Sequence, residues 1–346
     1  MADELQPSHM LTLPGDLRTA IERALAAVPA PRWVGAAQQL SQRYRGVRPL
    51  GQAAPASGEL AALGYAALIM PATYAQLRGA MAATAARLPG WQPATLLDLG
   101  SGPGTALWAA CAQWPEVQLL TAYEREPALI ALGRSLAAAS THAAIRATSW
   151  ERGDLARFAT PRRYDLVVLG HVLNELAPAQ RQLVIERAWA ATAGVLLIAE
   201  PGTPEAFEVV RTARDALLAT GAHTIGPCTH NQPCPLQGDW CHFPQRLQRP
   251  EFQRRARAAP SPWEDAKFAY AALARFAPAR PIWGRVIREP TSNKAYAEVL
   301  ISSHGGVARY RVLKRHREAY RLVKGLAWGQ VLDTPLAVPS EPEDEE

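Results

Sequence analysis

The chain has 346 residues, 48% of them hydrophobic and 20% charged, which leaves room for one large domain or two to three smaller ones and excludes intrinsic disorder over most of its length. No uninterrupted apolar run approaches the roughly 20 residues of a membrane-spanning helix. The net charge of +6 is regional: residues 225–330 hold 18 Lys and Arg against 7 Asp and Glu, residues 1–224 are near balance at +1, and the last 16 residues hold 6 acids and no base. The basic surplus is almost entirely arginine, the better bidentate partner for phosphate, so the C-terminal third fits either a polyanionic partner or a solvated basic face. The opening stretch carries Asp3 and Glu4 ahead of any apolar run. That is unlike a secretory signal or an acid-poor transit peptide, and it sets the expectation of a cytoplasmic protein with no membrane partner.

Residues 1–90 read as a helical N-terminal region. Apolar positions recur at helical spacing from Asp16, Leu60 to Leu88 is rich in Ala, Leu and Met, Pro71 starts a new helix, and 49–58 is linker-like. Residues 91–224 change pattern. Short apolar runs beginning at Thr95, Val117, Tyr164 and Gly194 alternate with helical segments, which predicts an α/β, doubly wound parallel sheet that binds ligands beyond the carboxyl ends of its strands. Residues 225–335 are rich in Pro, Cys, His, Trp and Arg, and the segments from Tyr296 and Ala308 flank His304-Gly-Gly as a β-hairpin. Residues 336–346 form an acidic tail expected to be disordered.

The first strand contains Asp98 and runs into Gly100, Gly102 and Gly104 ahead of a helix. Glycines there admit a ligand against the backbone, and the helix start adds oriented N–H groups. About 20 residues on, the second strand ends at Glu124, where an acid can accept both ribose hydroxyls of a nucleoside cofactor. Asp154 is placed to face an adenine amine. The fourth strand ends at Gly170-His171, with Asn174 and Glu175 a turn later. This arrangement, without the later glycine of the dinucleotide fingerprint, resembles the S-adenosylmethionine-dependent methyltransferases of the doubly wound class, against the plainer reading of a tight glycine turn. His171 is a candidate lining residue or a structural histidine, and Glu200-Pro-Gly after the fifth strand shapes the same pocket. The exocyclic-amine motif and the cysteine motif of base-C5 enzymes are both missing, so no catalytic residue is assigned.

Three of the four cysteines, Cys228, Cys234 and Cys241, fall within 14 residues, interleaved with His230 and His242. In a chain expected to be cytoplasmic, this clustering points to metal rather than disulfides. Thiolates suit an iron–sulfur cluster or zinc, but the CxxC knuckle of a zinc finger is missing. Cys111 belongs to the helix after the glycine loop and reads as core. Unliganded thiols in a proline-rich loop remain the plain alternative.

Taken together, Met70-Pro-Ala-Thr-Tyr, Leu97-Asp-Leu-Gly-Ser-Gly-Pro-Gly, Leu-Asn-Glu-Leu ending at Leu176, Glu200-Pro-Gly-Thr, Pro227-Cys-Thr-His, Cys234-Pro-Leu and Asp239-Trp-Cys-His-Phe resemble the ribosomal small-subunit methyltransferase-like family, over about residues 60–330. Trp263 to Tyr270 and Ala327-Trp-Gly extend the match. The resemblance implies a class I methyltransferase fold, S-adenosylmethionine binding, association with small-subunit ribosomal RNA or the small ribosomal subunit, and a 4Fe-4S cluster with Cys228, Cys234 and Cys241 among its ligands. The family's fourth cysteine falls in the C-terminal hairpin, where this chain has Ser302, Ser303 and His304 instead. The expected activity is methyl transfer to ribosomal RNA. The alternative is a non-catalytic assembly factor that holds RNA through the arginines and Trp240, Phe243, Trp263, Trp283 and Trp328. A small-molecule methyltransferase fits the basic region less well. Nothing in the sequence fixes the oligomeric state.

Overall fold

A computed structural model describes residues 10–45, 57–279 and 281–337. Most of the expected linker and nearly all of the expected acidic tail lie outside these residues. The N-terminal region is helical as expected: α1 (Gly15–Ala26), α2 (Ala30–Arg45), α3 (Glu59–Leu68) and α4 (Met70–Arg87). Pro71 occupies the first turn of α4, where its missing N–H costs nothing. α4 is buried on most of its surface and packs against the main sheet. Asp16 ties α1 down: its Oδ2 accepts from Thr141 N at 2.8 Å, Thr141 Oγ1 at 3.0 Å and Ser140 Oγ at 3.2 Å. No single described helix is long and apolar enough to cross a membrane.

The chain then alternates β1 (Thr95–Leu99), α5 (Thr105–Gln113), β2 (Leu119–Glu124), α6 (Pro127–Ala138), α7 (Ala143–Arg146), β3 (Ser149–Arg152), β4 (Tyr164–Gly170), α8 (Pro178–Ala190), β5 (Thr192–Pro201), α9 (Pro204–Leu218) and β6 (His223–Gly226). It continues with β7 (Phe243–Gln248), α10 (Glu251–Arg257) and β8 (Trp263–Ala274). The main sheet has the order β3-β2-β1-β4-β5-β8-β6, with β7 pairing β8. β1 to β5 are parallel, and β8 enters antiparallel between β5 and β6.

Strand periodicity assigns the two faces. Leu96, Val168 and Leu197 face α4 and α5, whereas Leu97, Leu99, Val167, Leu169 and Ile198 join the core with α8 and α9. Each such side chain fully removed from water contributes roughly 1.5–3 kcal/mol. Because both faces are covered, the strands read as continuous apolar runs.

A second, smaller sheet follows: β9 (Gly284–Val286), β10 (Thr291–Ser292), β11 (Tyr296–Ser303), β12 (Gly306–Leu313) and β13 (Val331–Leu332), with α11 (Arg317–Gly325) packed on it. β11 and β12 form the expected hairpin, in register from Tyr296 opposite Leu313 to Ser303 opposite Gly306. The division expected at residue 224 does not follow the sheet. β6, β7 and β8 complete the methyltransferase-like layer, and the smaller sheet begins only at Gly284.

Candidate functional site

The strand order reverses between β1 and β4, which opens a crevice where the loops after these strands part. The glycine loop lies there with Gly100, Gly102 and Gly104 at φ of 73°, 54° and 83°. Gly100 has no room for a side chain, since a Cβ would stand 2.6 Å from Val172 Cγ2. At Gly102 the nearest atom is the Tyr65 hydroxyl, 3.8 Å from a would-be Cβ. A Cβ there would meet Tyr65 at ordinary van der Waals distance.

Carboxylates surround the loop. Asp98 is buried at the end of β1, and burial, then the neighbouring Glu124, pushes its pKa up to about 8. Glu124 takes three backbone donors: Gly102 N at 2.9 Å on Oε2, and Arg125 N and Glu126 N at 2.8 and 2.9 Å on Oε1. Of about four lone-pair positions on a carboxylate, roughly one remains for the ribose hydroxyls assigned to it. Asp154 also has a local role: its Oδ1 accepts from Ala156 N at 2.8 Å and caps the short helical turn that follows. Gly170 ends β4 beneath Leu77, 3.2 Å from a would-be Cβ.

Beyond Gly170, His171 stands at φ 60°, and its backbone N–H donates to Ala199 O at 2.8 Å. Burial lowers its pKa to about 4, so the ring is neutral. Glu200, fully buried at the end of β5, clasps the same turn, accepting from Val172 N at 3.1 Å and Leu173 N at 2.7 Å. Burial raises its pKa to about 8. Tyr65 of α3 was not singled out from sequence, where it is one aromatic in a helical run. Its hydroxyl lies 3.8 Å from a would-be Gly102 Cβ, and burial, then Glu175, Glu124 and Asp98, raises its pKa.

Asp98 Oδ2, Thr105 Oγ1, His171 Nε2, Asn174 Oδ1 and Glu200 Oε2 are buried without a partner among the described residues. Each left unmade costs about 1–3 kcal/mol. Asp98 and Glu200 lie near the carboxyl ends of β1 and β5, Thr105 opens α5, and His171 and Asn174 follow β4, which fits a crevice shaped for a polar ligand.

The cysteines occupy a second place. Cys228, Cys234 and Cys241 line one small cavity, with Arg214 of α9, Tyr270 of β8 and Ser302 of β11 also on its wall. None of the four cysteines is disulfide-bonded. Burial raises the Cys228 and Cys241 thiols, while Arg214 and Arg285 at Cys228, and Arg288 and Arg285 at Cys241, pull them back down. Arg214 and Arg285 are buried, and Arg214 Nε and Arg285 Nε and Nη2 have no partner among the described residues. Buried guanidinium donors left open beside three thiols fit an anionic occupant bound through thiolates. No three His, Cys, Asp or Glu side chains among the described residues converge closely enough to hold a single metal ion. Cys111 packs in the core, as expected, and burial pushes its pKa up to about 12.

The motif around Cys241 is locked from both sides. Asp239 pairs with Arg288, Trp240 donates to Gly202 O at 3.0 Å, and the His242 ring stacks on Trp240 and meets Trp328 edge-on. Most of the five aromatics named for stacking on bases are engaged within the fold instead. Phe243 is core, Trp240 and Trp328 hold His242, and Trp283 packs on Tyr310. Trp263 is 42% exposed, with Arg246 lying 4.2 Å over its ring. Much of the arginine surplus is also paired: Arg246 with Asp265, Arg249 and Arg257 with Glu264, and Arg309 and Arg311 with Glu298.

Sheet order, glycine loop and carboxylate cluster define a protein of the methyltransferase-fold class. Residues 59–333 match the family described as "Mitochondrial small ribosomal subunit Rsm22", and the chain belongs to that family. It is 27% identical over 297 residues to the human "Ribosome assembly protein METTL17, mitochondrial", covering 80% of this chain and 63% of that protein. With the "Rsm22-cox11 tandem protein 2, mitochondrial" of Schizosaccharomyces pombe it shares 22% identity over 296 residues, 68% of this chain and 38% of that one. The chain thus spans less than two thirds of the length of these relatives. Among solved structures, the N-methyltransferase NodS of Bradyrhizobium japonicum WM9 is 14% identical at a TM-score of 0.40, covering 69% of this chain and 97% of that one. The magnesium protoporphyrin IX methyltransferase ChlM of Synechocystis PCC 6803 is 10% identical at a TM-score of 0.40, covering 59% and 84%.

Proposed function

We propose that the chain binds S-adenosylmethionine in the crevice between β1 and β4 and acts on or with the small ribosomal subunit, as a methyltransferase or methyltransferase-like assembly protein. The observation that carries the reading is the set of five unpartnered buried polar atoms beside the glycine loop. Asp98, Gly100, Gly102, Gly104 and Glu124 would hold the cofactor, with Gly170 forming the wall after β4. When bound, S-adenosylmethionine supplies an electrophilic methyl group. The chain's own task is then positioning and exclusion of water. Tyr65 covers the loop from the N-terminal helices, and Glu200 fixes the turn that presents His171 and Asn174. Asp154 stays in the proposed set of cofactor contacts, its Oδ1 also capping the short helical turn that follows.

Cys228, Cys234 and Cys241 are proposed to hold an iron–sulfur cluster, balanced by Arg214 and Arg285. Each thiolate would bind a different iron, so donors spread over a cavity wall suit a cluster. Zinc would draw its donors to within roughly 3.8 Å of one another around one tetrahedral ion. The partner proposed for the basic C-terminal part is small-subunit ribosomal RNA, reached chiefly through phosphate contacts.

One observation favours the second reading, an assembly factor without turnover. The Glu124 carboxylate is already occupied by three backbone N–H groups. The two readings separate when methylated nucleotides of small-subunit ribosomal RNA are mapped in cells carrying Gly102→Arg. Loss of a mark supports catalysis; intact marks with a small-subunit defect support assembly alone.

A further inference from the structure

We infer that Ser302 is the fourth ligand of the cluster site, binding iron through its Oγ in a site otherwise made of three cysteines. This rests on the reading of the cysteine cavity as an iron–sulfur site. Three oxygen or nitrogen side chains stand in sequence in the hairpin, and the structure separates them. Val299 and Ile301 of β11 face the core of the smaller sheet, so the alternate residues Leu300 and Ser302 face the other way. Leu300 packs into the main-domain core, and Ser302, buried at 8% exposure, reaches the cavity wall that carries Cys228, Cys234 and Cys241.

Ser303 turns away: its Oγ accepts from Gly305 N at 3.2 Å within the hairpin turn. His304 is exposed in that turn and lies against the His230 ring, with centroids 5.7 Å apart.

Register supplies a further element. Ser302 pairs across the ladder with Arg285, the buried arginine whose Nε and Nη2 lack partners. Directly opposed residues share one face of the ladder, so the open Arg285 guanidinium and the Ser302 hydroxyl lie on the same side of the sheet. On binding, the Ser302 Oγ–H bond breaks, an Fe–O bond forms and the proton leaves to solvent, with no change in iron oxidation state. Cluster iron is matched better by a soft thiolate than by a hard alkoxide. The iron at Ser302 is therefore the one most readily lost. The cavity wall also carries Tyr270, whose hydroxyl is buried and unpartnered and lies 2.9 Å from where a Gly226 Cβ would stand. It is the competing oxygen donor and must be tested beside Ser302.

The test uses the full chain, reconstituted anaerobically with ferrous iron and sulfide. Iron and acid-labile sulfide are measured, and the electron paramagnetic resonance spectrum is followed through a mild oxidation. Wild type is expected to bind iron and sulfide and to lose one iron per cluster on oxidation. Ser302→Ala should lose that iron on the order of tenfold faster, Ser302→Cys should retain it, and Tyr270→Phe should behave as wild type. Circular dichroism reports whether each variant folds. If Cys234→Ser abolishes binding while Ser302→Ala and Ser302→Cys both match wild type, or if Tyr270→Phe shows the loss, the assignment of Ser302 is overturned. A folded wild-type chain that takes up neither iron nor sulfide overturns the cluster reading itself.

Discussion

The Glu124 carboxylate accepts the Gly102 backbone N–H at 2.9 Å, so the acid that ends β2 holds the glycine loop that follows β1. The two motifs, 22 residues apart, are one unit. Removing the carboxylate leaves three backbone donors without their acceptor, and Glu124→Ala should destabilise the chain by roughly 2–4 kcal/mol. Urea unfolding followed by circular dichroism measures this, and Glu124→Gln, which keeps an acceptor oxygen, should recover part of the loss.

Gly100→Ala combines a positive φ of 73° with a 2.6 Å approach to Val172 Cγ2. Val172 is fixed in turn by Glu200 through its backbone N–H, so it has little room to yield. The expected cost is about 1–3 kcal/mol, read as a shift in the urea midpoint at unchanged slope. A change within about 0.5 kcal/mol would mean that the turn relaxes freely.

The stability of the ligand-free chain should fall as pH rises. Asp98 and Glu200 both have folded pKa values raised to about 8, against about 4 when unfolded. A raised carboxyl favours the folded state most below its unfolded pKa, and that contribution is lost as pH climbs toward about 8. Melting temperature measured from about pH 5 to about pH 8 should therefore decline. The slope should be shallower in Asp98→Asn and in Glu200→Gln, and equal slopes in all three proteins would contradict the burial argument.

Trp240→Phe keeps most of the ring that stacks on His242 but loses the N–H bond to Gly202 O. The expected cost to stability is about 0.5–1.5 kcal/mol. Because Cys241 is the next residue, the same variant should also lower the iron retained after anaerobic reconstitution. Iron binding equal to wild type would mean that the cysteine loop is held without this anchor.

The parallel core of the fold was legible because β1, β4 and β5 are buried on both faces and read as uninterrupted Leu, Val and Ile. β8 was not: its Ala-rich segment from Ala266 to Ala274 has no strand signature, and its pairing with β5 and β6 is a long-range choice. Through that strand β6 and β7 join the main sheet. In the crevice, Asp98, the glycines and Glu124 follow from spacing. The capping role of Asp154 was not legible, because a cap and a ligand contact draw on the same kind of carboxylate. Tyr65 reaches its site only through packing of α3, and among Ser302, Ser303 and His304, all marked by the resemblance, only the register of β11 puts Ser302 on the cavity wall, which no local pattern encodes.

S-adenosylmethionine is proposed to bind at the glycine loop. Isothermal titration of the purified full chain with S-adenosylmethionine tests this most directly, beside Gly102→Arg, which puts a long side chain into the loop next to Tyr65. The account predicts saturable one-to-one binding to wild type, weakened at least about 100-fold, a loss of roughly 2.7 kcal/mol, in a Gly102→Arg protein that still folds. No heat with wild type, or equal affinity in the two proteins, would contradict it.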